Sequence, residues 1–406
     1  MKNFKKIVAL LISITLLAAG CGLQKSSSEE EKETTKKAEN KKITKEESAQ
    51  AKLDVVNPAA YNNAKGLKLE KGTYISIIGK ASTGEYWSEV KKGVEKATDD
   101  INENLGYTGK DKVKITFNAP ADADDVDQQV NLLDEELARE PAALAISIAD
   151  EQSCKVQFDM AADNEIPIVA YDCGSDYQGL MATVSTDNTK SAKEAADKLA
   201  EAMSSKGKVL ILAHDSKSMA AKERVAGFEA ELKKKYPKMS VASVYYMDNI
   251  EKLQKNVAAE INTGTYARST DGDARLRTGD EKINPTDITE DDIIDYYLQK
   301  HPDVCGCFAT NATAVKTIVS GMDRTKKDNV MVVGYDADKE EIDMLKKGKV
   351  DGLVVQNPYA MGYASVIAAA RSALSMGNES VVDTGYTWIT KSNLNDNEVK
   401  KMLYNE

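Results

Sequence analysis

Short apolar runs alternate with longer stretches in which apolar residues recur every three or four positions. Runs at 73–78, 113–117, 143–148 and 166–171 read as strands, and the stretches 85–104, 123–139 and 151–164 between them read as helices. Within 123–139, Val126, Val130, Leu133 and Leu137 fall on one helical face. The pattern then repeats. Helices are predicted at 190–203, 220–236, 291–300 and 312–321, with strands at 208–213, 241–246, 304–309, 330–334 and 352–355. Nearly continuous apolar strands separated by helices predict parallel sheets covered on both faces. Two successive sets predict two α/β, doubly wound lobes in one chain.

Three segments break the rhythm. Residues 262–289 are rich in Asp, Gly, Arg and Thr and carry no apolar period. They read as an insertion, either a surface excursion or a lid. Residues 24–51 are nearly all Lys, Glu, Ser, Thr, Asn, Ala and Gln. Such a stretch buries no core of its own and reads as a flexible tether, placed at 21–70 with its flanks. Residues 1–20 open on Lys2, Lys5 and Lys6, continue as an apolar run, and end in Leu17-Ala18-Ala19-Gly20 before Cys21. The run is too short for a comfortable membrane span and fits a signal peptide. Small residues before a single cysteine resemble the lipobox of bacterial lipoproteins. That resemblance implies cleavage before Cys21, acylation of its thiol, and attachment to the extracytoplasmic face of the cell membrane.

The remaining ~340 residues exceed one small core. They are divided into one lobe at 71–186 plus 357–385 and another at 187–356 plus 386–406. Loss of Lys2, Lys5 and Lys6 with the leader, which holds no acid, takes the formal net charge from −11 to −14. Such a charge argues against nucleic acid as a partner. Beyond Cys21 there are Cys154, Cys173, Cys305 and Cys307, and the histidines are His214 and His301. No metal-ligand spacing appears, so neither a metal nor any other cofactor is expected, and the cysteines read as buried free thiols, with an extracytoplasmic disulfide as the open alternative.

Four collinear segments then carry a resemblance. They are Tyr86-Trp87, Lys222-Glu223-Arg224-Val225-Ala226-Gly227-Phe228, His301-Pro302-Asp303-Val304 with Phe308-Ala309-Thr310-Asn311, and Val330 to Asp336. From residue 73 onward the chain resembles the ribose-binding family of periplasmic-type sugar-binding proteins. The resemblance implies two lobes joined by a three-strand hinge, with crossings near 186–187, near 356 and near 384–387. It also implies site residues. Tyr86 and Trp87 match aromatics that sandwich a sugar ring, and Asp172 matches an acceptor of sugar hydroxyls. Arg224 matches a donor to the ring oxygen and hydroxyls, and Asn311, Asp336 and Gln356 match polar residues of the far lobe and hinge. Each lies at a predicted strand end or at the start of the next helix, where open α/β sheets bind ligands. The chemistry agrees with the placement. Carboxylates and amides serve hydroxyls, Arg only donates, and aromatics cover C–H faces.

Some positions depart from the ribose pattern. Cys173 replaces a second Arg, and Ser82-Thr83-Gly84-Glu85 replaces an Asn-rich turn, so Glu85 becomes a candidate polar contact. Met247 stands where the pattern is aromatic. Lys80 resembles relatives that bind furanose-derived autoinducers. Plain ribose is therefore disfavoured. The function expected is a monomeric lipoprotein that captures a small sugar-like ligand and hands it to an ABC-type permease. The alternative is a ligand-sensing subunit for a membrane receptor. No phosphate loop, Gly-x-Ser-x-Gly or histidine-based triad is present, so catalysis is not expected. A signal peptide in place of a DNA-binding headpiece sets aside the transcription-factor effectors that share the fold.

Overall fold

The computed structural model describes residues 43–123, 125–264 and 282–404. The signal peptide, Cys21 and the tether up to residue 42 lie outside the described residues.

The chain opens with helix α1 (Lys45–Asp54). A first sheet follows, made from β1 (Tyr74–Ile78), β2 (Lys114–Asn118), β3 (Ala143–Ile146), β4 (Ile168–Tyr171) and β5 (Leu180–Ser185). Helices α2 (Glu85–Leu105), α3 (Val126–Leu137) and α4 (Lys155–Asp163) connect its strands. The second sheet begins after α5 (Asn188–Ala202) with β6 (Gly207–Ala213), α6 (Met219–Lys235) and β7 (Met239–Tyr246). It continues through α7 (Ile250–Asn262), α8 (Glu290–Lys300), β8 (Val304–Ala309), α9 (Ala312–Thr325), β9 (Met331–Tyr335), α10 (Lys339–Lys347) and β10 (Gly352–Gln356). The chain then returns to the first sheet with α11 (Pro358–Ala373) and β11 (Val381–Asp383), and to the second with β12 (Tyr386–Ile389) and α12 (Asn397–Met402).

The first sheet has the order β11-β5-β4-β3-β1-β2 and is parallel throughout. The second has the order β12-β10-β9-β8-β6-β7, parallel except for β12 against β10. The doubly wound expectation therefore holds in both lobes. The chain crosses between the sheets at 186–187, at 357 and at 384–385.

Two elements differ from the sequence reading. Residues 43–70 are not a tether. Thr44 and Glu47 form a capping box on α1, which docks through a buried Lys52–Glu89 ion pair at 2.8 Å. Leu53, Val56, Tyr61, Leu67 and Leu69 join the first lobe's core. Asn57 exchanges both backbone hydrogen bonds with Asp383 at 2.8 and 2.9 Å. A helix held by polar contacts shows no apolar stripe, so its composition resembles that of a linker. Helix α11 was not anticipated either. It is buried on almost every side, and a helix surrounded by core has no amphipathic period to detect. It crosses α2 so closely that a Cβ on Gly93 would lie 2.0 Å from Tyr359 O, and one on Gly362 2.0 Å from Val90 O.

The 262–289 insertion is shorter than expected. Asn262 pairs through its amide with both backbone groups of Ile283, at 2.9 Å each. Ile283 and Ile288 are core residues of the second lobe. Residues 265–281, the middle of the stretch read as a surface excursion or a lid, lie outside the described residues. Cys154, Cys173, Cys305 and Cys307 are free thiols, all but Cys305 buried.

Candidate functional site

The carboxyl ends of the two sheets face one another, and the polar residues there build one hydrogen-bonded group around Asp172 and another around Asp336 and Arg224. Asp172 and Asp336 each follow a strand, and both adopt left-handed backbone, with φ of 58° and 80°. Asp tolerates this region better than most residues. Tyr86 Oη donates to Asp172 Oδ1 at 2.6 Å and Ser147 Oγ to Oδ2 at 2.8 Å. Asp336 Oδ2 accepts from the Ala312 N–H at 3.0 Å, and Oδ1 accepts from Gln356 Nε2 at 2.7 Å. Burial raises the Asp336 carboxyl above its ordinary range, while the Arg224 guanidinium and the hydrogen bond from Gln356 work against that rise.

Arg224 sits at the centre of the second group and is 3% exposed. Its Nε donates to Asn188 Oδ1 at 2.9 Å, Nη1 to Thr310 O at 2.6 Å and Nη2 to Gln356 Oε1 at 2.7 Å. The guanidinium also lies 4.1 Å from the Tyr335 ring centroid, a cation–π geometry. Gln356 joins the hinge by accepting from Thr186 Oγ1 at 3.2 Å. Arg224, Gln356 and Asp336 are therefore oriented by one another and by the hinge.

The remaining residues singled out by sequence occupy varied places. Tyr86 and Trp87 are half-buried at the start of α2, ring centroids 5.3 Å apart and edge to face. Asn311 Oδ1 caps α9 by accepting from the Ala314 N–H at 2.8 Å. Lys80 is buried and lies 3.7 Å from Asp215 of the opposite lobe. Glu85 is exposed, and its Oε2 accepts from the Lys339 N–H across the lobes at 3.1 Å. It is thus a contact between lobes at the rim. Met247 packs against the second lobe's core. Burial pushes the Cys173 thiol up to about 12, so this side chain is uncharged and unreactive near neutral pH.

Sequence reasoning missed several members. Ser147 and Asn188 fix Asp172 and Arg224 but carry no pattern of their own. His214 and Asp215 follow β6, and His214 Nδ1 lies 2.7 Å from Thr310 Oγ1. Burial is the main cause that lowers the imidazole to about 3, so His214 is neutral. Tyr404 is the least foreseeable. Its ring centroid lies 6.1 Å from that of Tyr86, and its hydroxyl donates to Asp336 Oδ1 at 3.2 Å. Among the described residues, no cluster of three or more His, Cys, Asp or Glu could hold a metal ion. No described helix is long and apolar enough to cross a membrane.

Comparison with known proteins decides the family. Residues 75–272 and 276–378 match the signature described as periplasmic binding protein domain. The chain belongs to the periplasmic binding protein family. Within it, the chain is similar to the ribose import binding protein of Bacillus subtilis, 22% identical over 56% of this chain and 61% of that protein. It is also similar to the ribose import binding protein of Salmonella typhimurium, 23% identical over 73% of this chain and 83% of that one. The match thus spans about three fifths of the first relative's length. Among solved structures, a carbohydrate transporter solute-binding protein from Agrobacterium radiobacter in complex with D-arabinose is 28% identical. It superposes with a TM-score of 0.63 over 82% of this chain and 98% of that one. An ABC transporter solute-binding protein from Agrobacterium vitis bound to α-D-tagatopyranose is 25% identical, with a TM-score of 0.65 over 82% of this chain and all of that one. These matches bear out the resemblance to the ribose-binding group of this family.

Proposed function

We propose that this periplasmic binding protein is a lipoprotein, anchored through Cys21 on the extracytoplasmic face of the membrane. It captures a monosaccharide between its lobes and passes it to an ABC-type permease. One observation carries the sugar reading. Asp172 with Tyr86 on one lobe faces the hinge-locked Arg224–Gln356–Asp336 chain on the other. Fixed acceptors, a donor-only guanidinium and an aromatic face are the complement of a pyranose or furanose ring. Buried groups of this kind reject a ligand whose hydroxyls leave them unpaired. The basic, apolar leader ending at Cys21 supports export and anchoring.

The test is a thermal-shift screen of residues 22–406 against D-ribose, D-arabinose, D-tagatose, D-fucose and D-allose, followed by calorimetric titration of each hit. A ligand that binds the native state raises the melting temperature by mass action. At least one aldose or ketose should do so. Arg224→Lys keeps the charge but loses the planar fork, and should weaken that sugar at least tenfold while the chain stays folded. Silence across the panel, or unchanged affinity in Arg224→Lys, overturns the reading.

A further inference from the structure

The family signature ends at residue 378, so the last helix and the residues after it fall outside it. Val399 and Tyr404 are buried in the second lobe's core. Tyr404 nonetheless reaches the other lobe, because its ring meets Tyr86 edge to face at 74°. It touches one aromatic residue of the site on one lobe and one carboxylate, Asp336, on its own. Burial and the neighbouring Asp336 and Glu341 raise its phenol well above the ordinary tyrosine value, so the hydroxyl stays protonated and donates.

Helix α12, which leads to Tyr404, is held from the opposite lobe. Ser48 Oγ on α1 donates to Lys401 O at 2.6 Å. Helix α1 is rooted in the first lobe by Leu53 in its core and by the Lys52–Glu89 ion pair. A continuous set of contacts therefore runs from the first lobe through α1 and α12 to Tyr404, and back to the first lobe at Tyr86. This path bypasses the three covalent crossings.

The geometry points to Tyr404 as a wall and positioning residue of the ligand cleft, clamped across the lobes by α12 and α1. The ring contact with Tyr86 exists only when the lobes are together, so it favours the closed arrangement. Apparent affinity scales with the fraction of molecules able to bind. The hydroxyl holds Asp336 in the orientation that also serves Gln356, which leaves the rest of the carboxylate's acceptor capacity for a ligand. The ligand-contact part of this inference rests on the sugar reading above, whereas the clamp does not.

The test uses residues 22–406 carrying Tyr404→Phe, Tyr404→Ala or Ser48→Ala. The radius of gyration is measured by small-angle X-ray scattering without sugar. Affinity is then measured for whichever sugar of the five-member panel shifts the parent. Tyr404→Ala should expand the molecule and weaken that sugar. Tyr404→Phe should keep the parent's radius, because the ring remains, but bind the sugar about tenfold more weakly for loss of a hydrogen bond to a charged group. Ser48→Ala should move both readouts in the direction of Tyr404→Ala, by less. Tighter binding in Tyr404→Ala would mean that the side chain occupies the ligand's place, and unchanged affinity that it stands outside the cleft. Either overturns the assignment, and an unchanged radius overturns the clamp. If no sugar shifts the parent, the functional reading fails and the radius alone decides the clamp. If Tyr404→Ala does not fold, Ser48→Ala decides the clamp and Tyr404→Phe decides the wall.

Discussion

At the scale of single residues, Asp172 and Asp336 each directly follow a strand, one on either lobe. Asp172 and Asp336 could be placed because a strand end is where an open sheet turns toward its cleft. Their partners could not be placed, because Tyr404 and Ser147 reach them through tertiary folding alone. Glu85 shows the converse. Its position beside Tyr86 suggested a ligand contact, yet its carboxylate serves Lys339 at the rim. His214 supplies a pH test. Its ring is faced by Asp215, Lys80, Arg224, Thr310 and Ser218. Burial lowers it to about 3 in the folded chain, against roughly 6.5 when unfolded. A depressed value means that the folded state prefers neutral His214. Its contribution to stability is thus full above the unfolded value and is lost as pH falls from there toward the folded one. Between pH 7.5 and 5.5 the parent should lose about 1 kcal/mol more than His214→Gln, as read by chemical denaturation at both pH values. Equal losses in the two proteins would show that the ring titrates freely.

At the scale of elements, periodicity recovered helices with one wet face and strands with apolar runs. It failed for α11, which has no wet face, and for α1, whose docking is polar. Physical cause and sequence signal diverge in both cases. The crossing of α2 and α11 depends on two missing side chains, at Gly93 and Gly362. A methyl group at Gly362 would overlap the backbone of Val90, and backbone cannot swing aside as a flexible side chain can. Gly362→Ala should therefore destabilise the fold by about 1–3 kcal/mol. The same substitution at Gly348, where nothing lies within 4 Å but φ is +74°, should cost only the smaller backbone penalty, about 1 kcal/mol. Thermal melts of the two variants compare the effects directly, and equal costs would count against the tight crossing.

At the scale of the whole molecule, two largely parallel sheets were foreseeable from the repeated alternation of strands and helices, whereas the three crossings came only with the resemblance to the ribose-binding group. What composition concealed was that residues 43–70 belong to the folded unit. Asn357 Nδ2 donates both to Lys52 O at 2.7 Å and to Thr384 O at 2.9 Å, which fastens the end of α1 to two of the crossings. A chain that starts at residue 58 should therefore melt several degrees below one that starts at residue 43. Identical melting curves would return residues 43–57 to the status of a linker.

The seat of α1 has a mechanical consequence. Its far end is pinned to the first lobe by Leu53 and Lys52, while Ser48 near its middle grips Lys401 of the second. A bar pinned to one plate and latched to the other turns with the first, so the plates cannot part until the latch at Ser48 lets go.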